Sequence, residues 1–178
     1  DHSFRIPRPD LTLDWGTPNA CTQCHTDRTA QWAVDAMNEW YGPDWQERPH
    51  FAGIIATART GNPVAEMPLL QLAEDQRQPA IVRATALELL RQYGPTGAAA
   101  MVTALEDESP VIRAAAILGL EGIETPQKAE LLTPLLDDPV RGVRIEAAKV
   151  LAGLPNARFS EEEQQKLSRR RRARSFRI

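Results

Sequence analysis

The sequence predicts an all-α chain, a small N-terminal module followed by a stack of paired helices, and three observations carry that reading. Segments 81–90, 111–120 and 142–151 align without gaps at offsets of 30 and 31 residues. Between Thr29 and Gly42 the apolar residues Trp32, Ala33, Ala36, Met37 and Trp40 recur at spacings of three and four, the period of a helix with one buried face. Turn signals, Gly94-Pro95, 107–110 and 137–139, separate the remaining periodic stretches. A chain of 178 residues, 42% hydrophobic and 25% charged, is large enough to bury a core of this kind.

The elements follow in order. Residues 1–28 hold Pro7, Pro9, Gly16 and Pro18 and show little periodicity, so they are expected as an extended, proline-stiffened wrap. The first helix runs from Thr29 to about Gly42-Pro43, and a weaker one spans about 50–60. Beyond it each aligned segment has a proline a few residues upstream (Pro79, Pro110, Pro139) and an apolar-Arg pair (Val82-Arg83, Ile112-Arg113, Val143-Arg144). Each also has a small residue (Ala86, Ala116, Ala147) and a leucine (Leu90, Leu120, Leu151). Proline opens the helix, alanine permits close helix approach, and leucine fills the seam between stacked pairs.

Partner helices are expected over 64–74, 96–106 and 127–136, which makes two antiparallel helices per repeat. These segments resemble short HEAT-type repeats, and the resemblance implies an α-solenoid over 49–155. Each repeat of a solenoid buries its apolar face only on its neighbours, so the ends need caps. Ser160-Glu161-Glu162-Glu163 has the pattern of a capping box opening a last, polar helix within 156–178. The recurring Arg83, Arg113 and Arg144 are expected to form an inter-repeat ladder to turn carboxylates such as Asp107 and Asp138, and Met67 and Met101 to be core residues.

The two cysteines of the chain lie in Cys21-Thr22-Gln23-Cys24-His25. Cys-x-x-Cys-His is the attachment signature of a c-type haem: two thiols spaced to meet two vinyl groups, and an adjacent imidazole that reaches the iron. A dithiol redox pair would call for a strand-helix setting that the sequence lacks, and a zinc site for further Cys and His partners. Residues 1–48 are therefore read as the haem-binding segment, with one covalent haem c held by Cys21, Cys24 and His25. Trp32, Met37 and Trp40 either pack on the porphyrin or form ordinary core.

The residues around the motif, 1–10 with Asp1-His2-Ser3-Phe4, then Thr17-Pro18-Asn19-Ala20, Gln31-Trp32-Ala33 and Trp40-Tyr41-Gly42, resemble the last haem-binding segment of multihaem c-type cytochromes whose haem part is followed by HEAT-like or tetratricopeptide repeats. The resemblance covers about residues 1–155. It implies an electron-transfer protein with a periplasmic or extracellular address, and relatives with further haem motifs upstream. This chain is then either a C-terminal piece of a longer protein or a natural single-haem member.

Iron ligation leaves one position to fill. His2, in its family-like segment, is the first candidate for the sixth ligand, because a proline-stiffened arm can return over the haem face. His50, in Arg48-Pro49-His50-Phe51, is the second, with a helix-junction role as its alternative. Met37, Met67 and Met101 are the thioether candidates, of which Met37 is close to the motif. Arg5 and Arg8 are expected to pair with haem propionates or neighbouring acids.

No catalytic set is recognisable, so the chain is read as a non-enzyme, with an interaction scaffold holding a structural haem as the alternative to electron transfer and an open-site haem enzyme or sensor as a minor third reading. The formal charge of −3 becomes −9 once Arg169, Arg170, Arg171, Arg172, Arg174 and Arg177 are set aside. An acidic body favours a basic redox partner or a neighbouring haem subunit, with room for a homo-oligomer or filament, over nucleic acid. The Arg-rich tail is either a contact for a polyanion, a lipid surface or a subunit, or a solvated end. No run of eighteen apolar residues predicts a membrane span, and no secretory leader pattern opens the sequence, so a processed or truncated start is expected.

Overall fold

A computed structural model describes residues 6–47, 49–122, 127–154 and 165. Every regular element among them is an α- or 3-10 helix, and the chain divides into two compact units, residues 1–60 and 61–178.

The first unit contains α1 (Asp10–Trp15), α2 (Ala20–Cys24), α3 (Ala30–Tyr41), a 3-10 turn (Pro43–Glu47) and α4 (Ala52–Arg59). The stretch expected to be an extended wrap thus holds two short helices, and local chemistry explains both. Gly16 takes φ +68° and closes α1 in the left-handed conformation that glycine adopts without strain. Asn19 caps α2 by accepting the Thr22 amide at 3.1 Å, and its amide donates to Thr12 Oγ1 at 2.8 Å, tying the two helices together. Helix α3 matches its expected span, with the Thr29 hydroxyl accepting the Trp32 amide and Gly42 at its end.

Val34, Met37 and Trp45 form the buried cluster of this unit. Arg8 binds Asp10 at 2.7 Å and the Gln46 carbonyl at 3.1 Å, with its guanidinium over the Trp45 ring. The half of the expectation that gave Arg8 a neighbouring acid therefore holds; Arg5 lies outside the described residues. Gly53 places α4 against Trp15, a Cβ there lying 3.7 Å from the indole, which accounts for α4 belonging to this unit.

In the second unit α5 (Glu66–Glu74) pairs with α6 (Ala80–Leu90), and α7 (Gly94–Ala104) with α8 (Pro110–Glu121). The third pair is α9 (Lys128–Leu132), continued by a 3-10 turn (Pro134–Asp137), with α10 (Arg141–Ala152). The expected helix over 127–136 is broken where Pro134 offers no amide to the ladder. Of the three aligned helices, α8 alone has proline as its first residue; Pro79 is the N-cap of α6, and Pro139 precedes the Val140 cap of α10.

Helices α6, α8 and α10 pack side by side. Ala86, Ala116 and Ala147 are completely buried along this line, as are Leu90 and Leu151, with Leu120 nearly so. The register read from the repeat is therefore the register of the core. Gly97 lets α7 approach the end of α6 so closely that a Cβ would overlap the Leu90 carbonyl. Met101 is wholly buried, but Met67 is 57% exposed on α5, contrary to the expectation that both were core. Period alone did not separate the outer face of the first helix from its inner one.

The arginine ladder forms at two of its three positions. Arg83 donates to the Asp107 carboxylate and to the Ala73 carbonyl; Arg113 grips Asp138 with Nε at 2.7 Å and a second nitrogen at 3.0 Å. Each aspartate also accepts the amide two residues on, Ser109 for Asp107 and Val140 for Asp138. Burial by itself would raise both carboxyl pKa values; the arginine and amide hydrogen bonds outweigh it and hold them below the usual range. Arg144, the third member, binds the carbonyls of Asp138 and Pro139 and, among the described residues, no carboxylate.

Candidate functional site

The Cys-x-x-Cys-His residues lie on α2 and its C-terminal cap. An i, i+3 spacing puts Cys21 and Cys24 on one face of the turn, and the His25 amide closes that turn on the Cys21 carbonyl at 2.9 Å. Both thiols are free; Cys24 and His25 are exposed and Cys21 half-buried.

These residues form one wall of an open groove of about 240 Å³, whose opposite wall is the face of α3 that carries Trp32, Met37 and Trp40. Small residues, Ala20, Ala33 and Ala36, complete the lining and keep it open. The His25 and Trp32 rings meet at 4.8 Å between centroids, tilted by 55°, and the Arg28 guanidinium lies over the Trp32 ring, 5.7 Å from its centroid. Trp40 is 68% exposed at the rim, while Met37 is buried and shared with the core cluster. Two thiols and an imidazole facing an apolar, indole-lined wall make a set able to bind a flat aromatic group covalently and to coordinate a metal at its centre.

The structure thus brings together Cys21, Cys24 and His25 with Trp32, Met37 and Trp40. It does not bring His50 to the groove. His50 Nδ1 accepts the Ala52 amide at 3.0 Å at the start of α4, and its ring stacks on Phe51. His2 lies outside the described residues, as do Arg48, the 160–163 segment and the Arg-rich tail. Among the described residues no group of three or more His, Cys, Asp or Glu side chains gathers to hold a metal ion. No helix among them is long and apolar enough to cross a membrane.

Asn19 and the alanines of the groove were not singled out from the sequence as site residues. Asn19 had a readable signal, an N-cap type ahead of a short helix. The alanines had none, since small residues on a helix face are equally ordinary core.

Comparison with protein families matches the model of HEAT repeats to residues 66–152 and 98–170, together more than half of the chain. No curated protein and no solved structure matches it. The match covers the stacked pairs that carry the Arg83–Asp107 and Arg113–Asp138 rungs, and with these alternating helix pairs it shows that the chain belongs to the HEAT-repeat family.

Proposed function

We propose that this protein is an interaction scaffold whose HEAT array presents a docking surface and whose N-terminal unit carries one covalent haem c. The array supports the first half: stacked helix pairs expose extended faces that a partner can cover. The groove supports the second. The residues present fit the group, because Cys21 and Cys24 stand on one face of a helical turn beside His25 and oppose an apolar wall. Addition of each thiol S–H across a vinyl group, sulfur to one carbon and hydrogen to the other, needs no further reactant. The bound group would supply a one-electron iron couple. Asn19 fixes the turn that carries the thiols, Trp32 buttresses the His25 ring, and Trp32 and Met37 supply the apolar face, with Trp40 at its exposed rim.

A second reading, electron transfer, is favoured by one observation: Cys24, His25 and Trp40 are exposed, so an edge of any group seated there stays open to a partner. Its placement outside the cytoplasm, with a redox protein or neighbouring haem subunit as partner, belongs to this reading. A redox-monitored absorption spectrum of the purified haem-loaded protein separates the two. A reversible, low-spin couple that fails to bind carbon monoxide supports electron transfer. A haem that cannot be cycled without unfolding residues 1–60 supports the structural role, and absence of a haem spectrum refutes both haem readings while leaving the scaffold.

A further inference from the structure

Helices α6, α8 and α10 carry a second register on the side away from their buried one. Positions i, i+4 and i+7 of each helix lie opposite Ala86, Ala116 and Ala147, and the repeat offsets set them in three rows across the helices. The first row is Ile81, Val111 and Gly142, and the second is Thr85, Ala115 and Glu146. The third is Glu88, Leu118 and Lys149. Helices α6 and α10 each pack on α8, which is therefore the middle of every row. Ile81, Val111 and Leu118 are 48, 45 and 43% exposed, and Glu88, Gly142 and Lys149 are exposed beside them. Aliphatic side chains gathered on one outer face, with charge at its edges, mark a surface that a partner covers.

The two ends of each row are complements of each other. The first row runs from the bulk of Ile81 to Gly142, where a Cβ would meet nothing within 4 Å. The third runs from the negative Glu88, whose carboxylate has no partner among the described residues, to the positive Lys149. The second sets neutral Thr85 across from Glu146, and the middle members Val111, Ala115 and Leu118 are all apolar. A two-fold axis lying along α8 in the plane of contact sets α6 of one copy against α10 of the other and keeps the rows in register. Ile81 then fills the space over Gly142, Glu88 meets Lys149, and Val111 and Leu118 meet their own counterparts. That is the self-complementarity an isologous contact requires. Lys149 also pairs with Glu146 one turn away, but a part-exposed pair of that kind is worth little and leaves ammonium donors for Glu88.

We infer that two copies of this chain form a two-fold dimer through the outer face of α6, α8 and α10. The inference rests on the scaffold reading, to whose docking surface it gives an occupant, and it is independent of the haem. An isologous contact uses the face up, so association stops at two copies.

The test is sedimentation velocity of the full chain over a concentration series, with circular dichroism to confirm folding. Wild type should pass from monomer to dimer and no further. Leu118→Asp, which brings two like charges together on the axis, should abolish the dimer. Glu88→Lys or Lys149→Glu should each weaken it by about tenfold or more, because like charges then face each other at two symmetric places. The double variant Glu88→Lys, Lys149→Glu should recover association, since it reverses each pair without changing the fit. Leu118→Cys should give, on mild oxidation, a disulfide whose peptide mass joins position 118 of one copy to position 118 of the other. Assembly beyond two copies, a double variant no better than the single ones, or the absence of a 118–118 link would each overturn the dimer. Wild type that stays folded and monomeric throughout would also overturn it, while leaving the scaffold reading in place with its face open to a different partner.

Discussion

Replacing Asp138 by alanine should be among the most damaging single changes in the array. The carboxylate accepts two nitrogens of Arg113 and the Val140 amide, and the charge of Arg144 also acts on it; the paired side chains are only 12% and 4% exposed. Deleting it leaves the Arg113 guanidinium buried without its partner and removes the bond that shapes the turn into α10. Breaking one side of a buried pair costs about 3–5 kcal/mol. For an array of this size that is a fall in melting temperature of roughly 15–30 °C. Asp138→Asn keeps the acceptor for the Val140 amide and should cost about 1.5–3 kcal/mol, the worth of a hydrogen bond to a charged group. Thermal unfolding followed by far-ultraviolet circular dichroism measures both, and the Arg113→Met and double variants complete a cycle that isolates the coupling. An Asp138→Ala protein within about 0.5 kcal/mol of wild type would refute the ladder as a stabilising device, since that is the range of neutral surface changes.

The same carboxylates set the response to acid. Their folded-state pKa values are lowered, so the stability they add is fully present above the ordinary carboxylate pKa of about 3.9 and is lost as pH falls through the lowered values. Melting temperature against pH should therefore drop steeply below about pH 4, and less steeply in an Asp107→Asn, Asp138→Asn double variant; equal slopes would contradict the assignment. Ala116→Trp should destabilise the array by about 3 kcal/mol through overpacking, because Ala116 is wholly buried between stacked helices, and an unchanged melting curve would place it elsewhere. In haem-loaded protein, His2→Ala should shift a low-spin spectrum towards high spin and open carbon monoxide binding. His50→Ala should leave the spectrum alone and loosen the start of α4 by about 1 kcal/mol, since His50 Nδ1 accepts the Ala52 amide there; the reverse pattern would make His50 the ligand.

Repeat register carried most of the legible fold. A fixed offset of 30 or 31 residues forces Ala86, Ala116 and Ala147 to equivalent places, and the same spacing put arginine and aspartate of successive repeats within reach of each other. What the pattern could not show was contact without periodicity. Pro7, Pro9 and Pro18 read as an extended arm, yet Gly16 and Asn19 supply the cap chemistry that lets α1 and α2 form between them. The exposure of Met67 was likewise hidden, because an apolar residue at helical spacing has the same signature whether or not a neighbouring helix exists to cover it. At the site, the Cys21, Cys24 and His25 cluster was evident from spacing alone, whereas the opposing wall of Trp32, Met37 and Trp40 had two readings. In the structure Met37 is buried in the core cluster and also lines the groove.

The covalent attachment of haem to this groove is tested most directly by the intact mass of the denatured protein after expression with a haem-attachment system, paired with its absorbance under denaturing conditions. The account predicts a mass equal to the polypeptide plus one haem, with haem absorbance retained on the unfolded chain, weakened retention in Cys21→Ala or Cys24→Ala, and attachment but altered iron ligation in His25→Ala. A mass equal to the bare polypeptide, with no absorbance surviving denaturation, would contradict it.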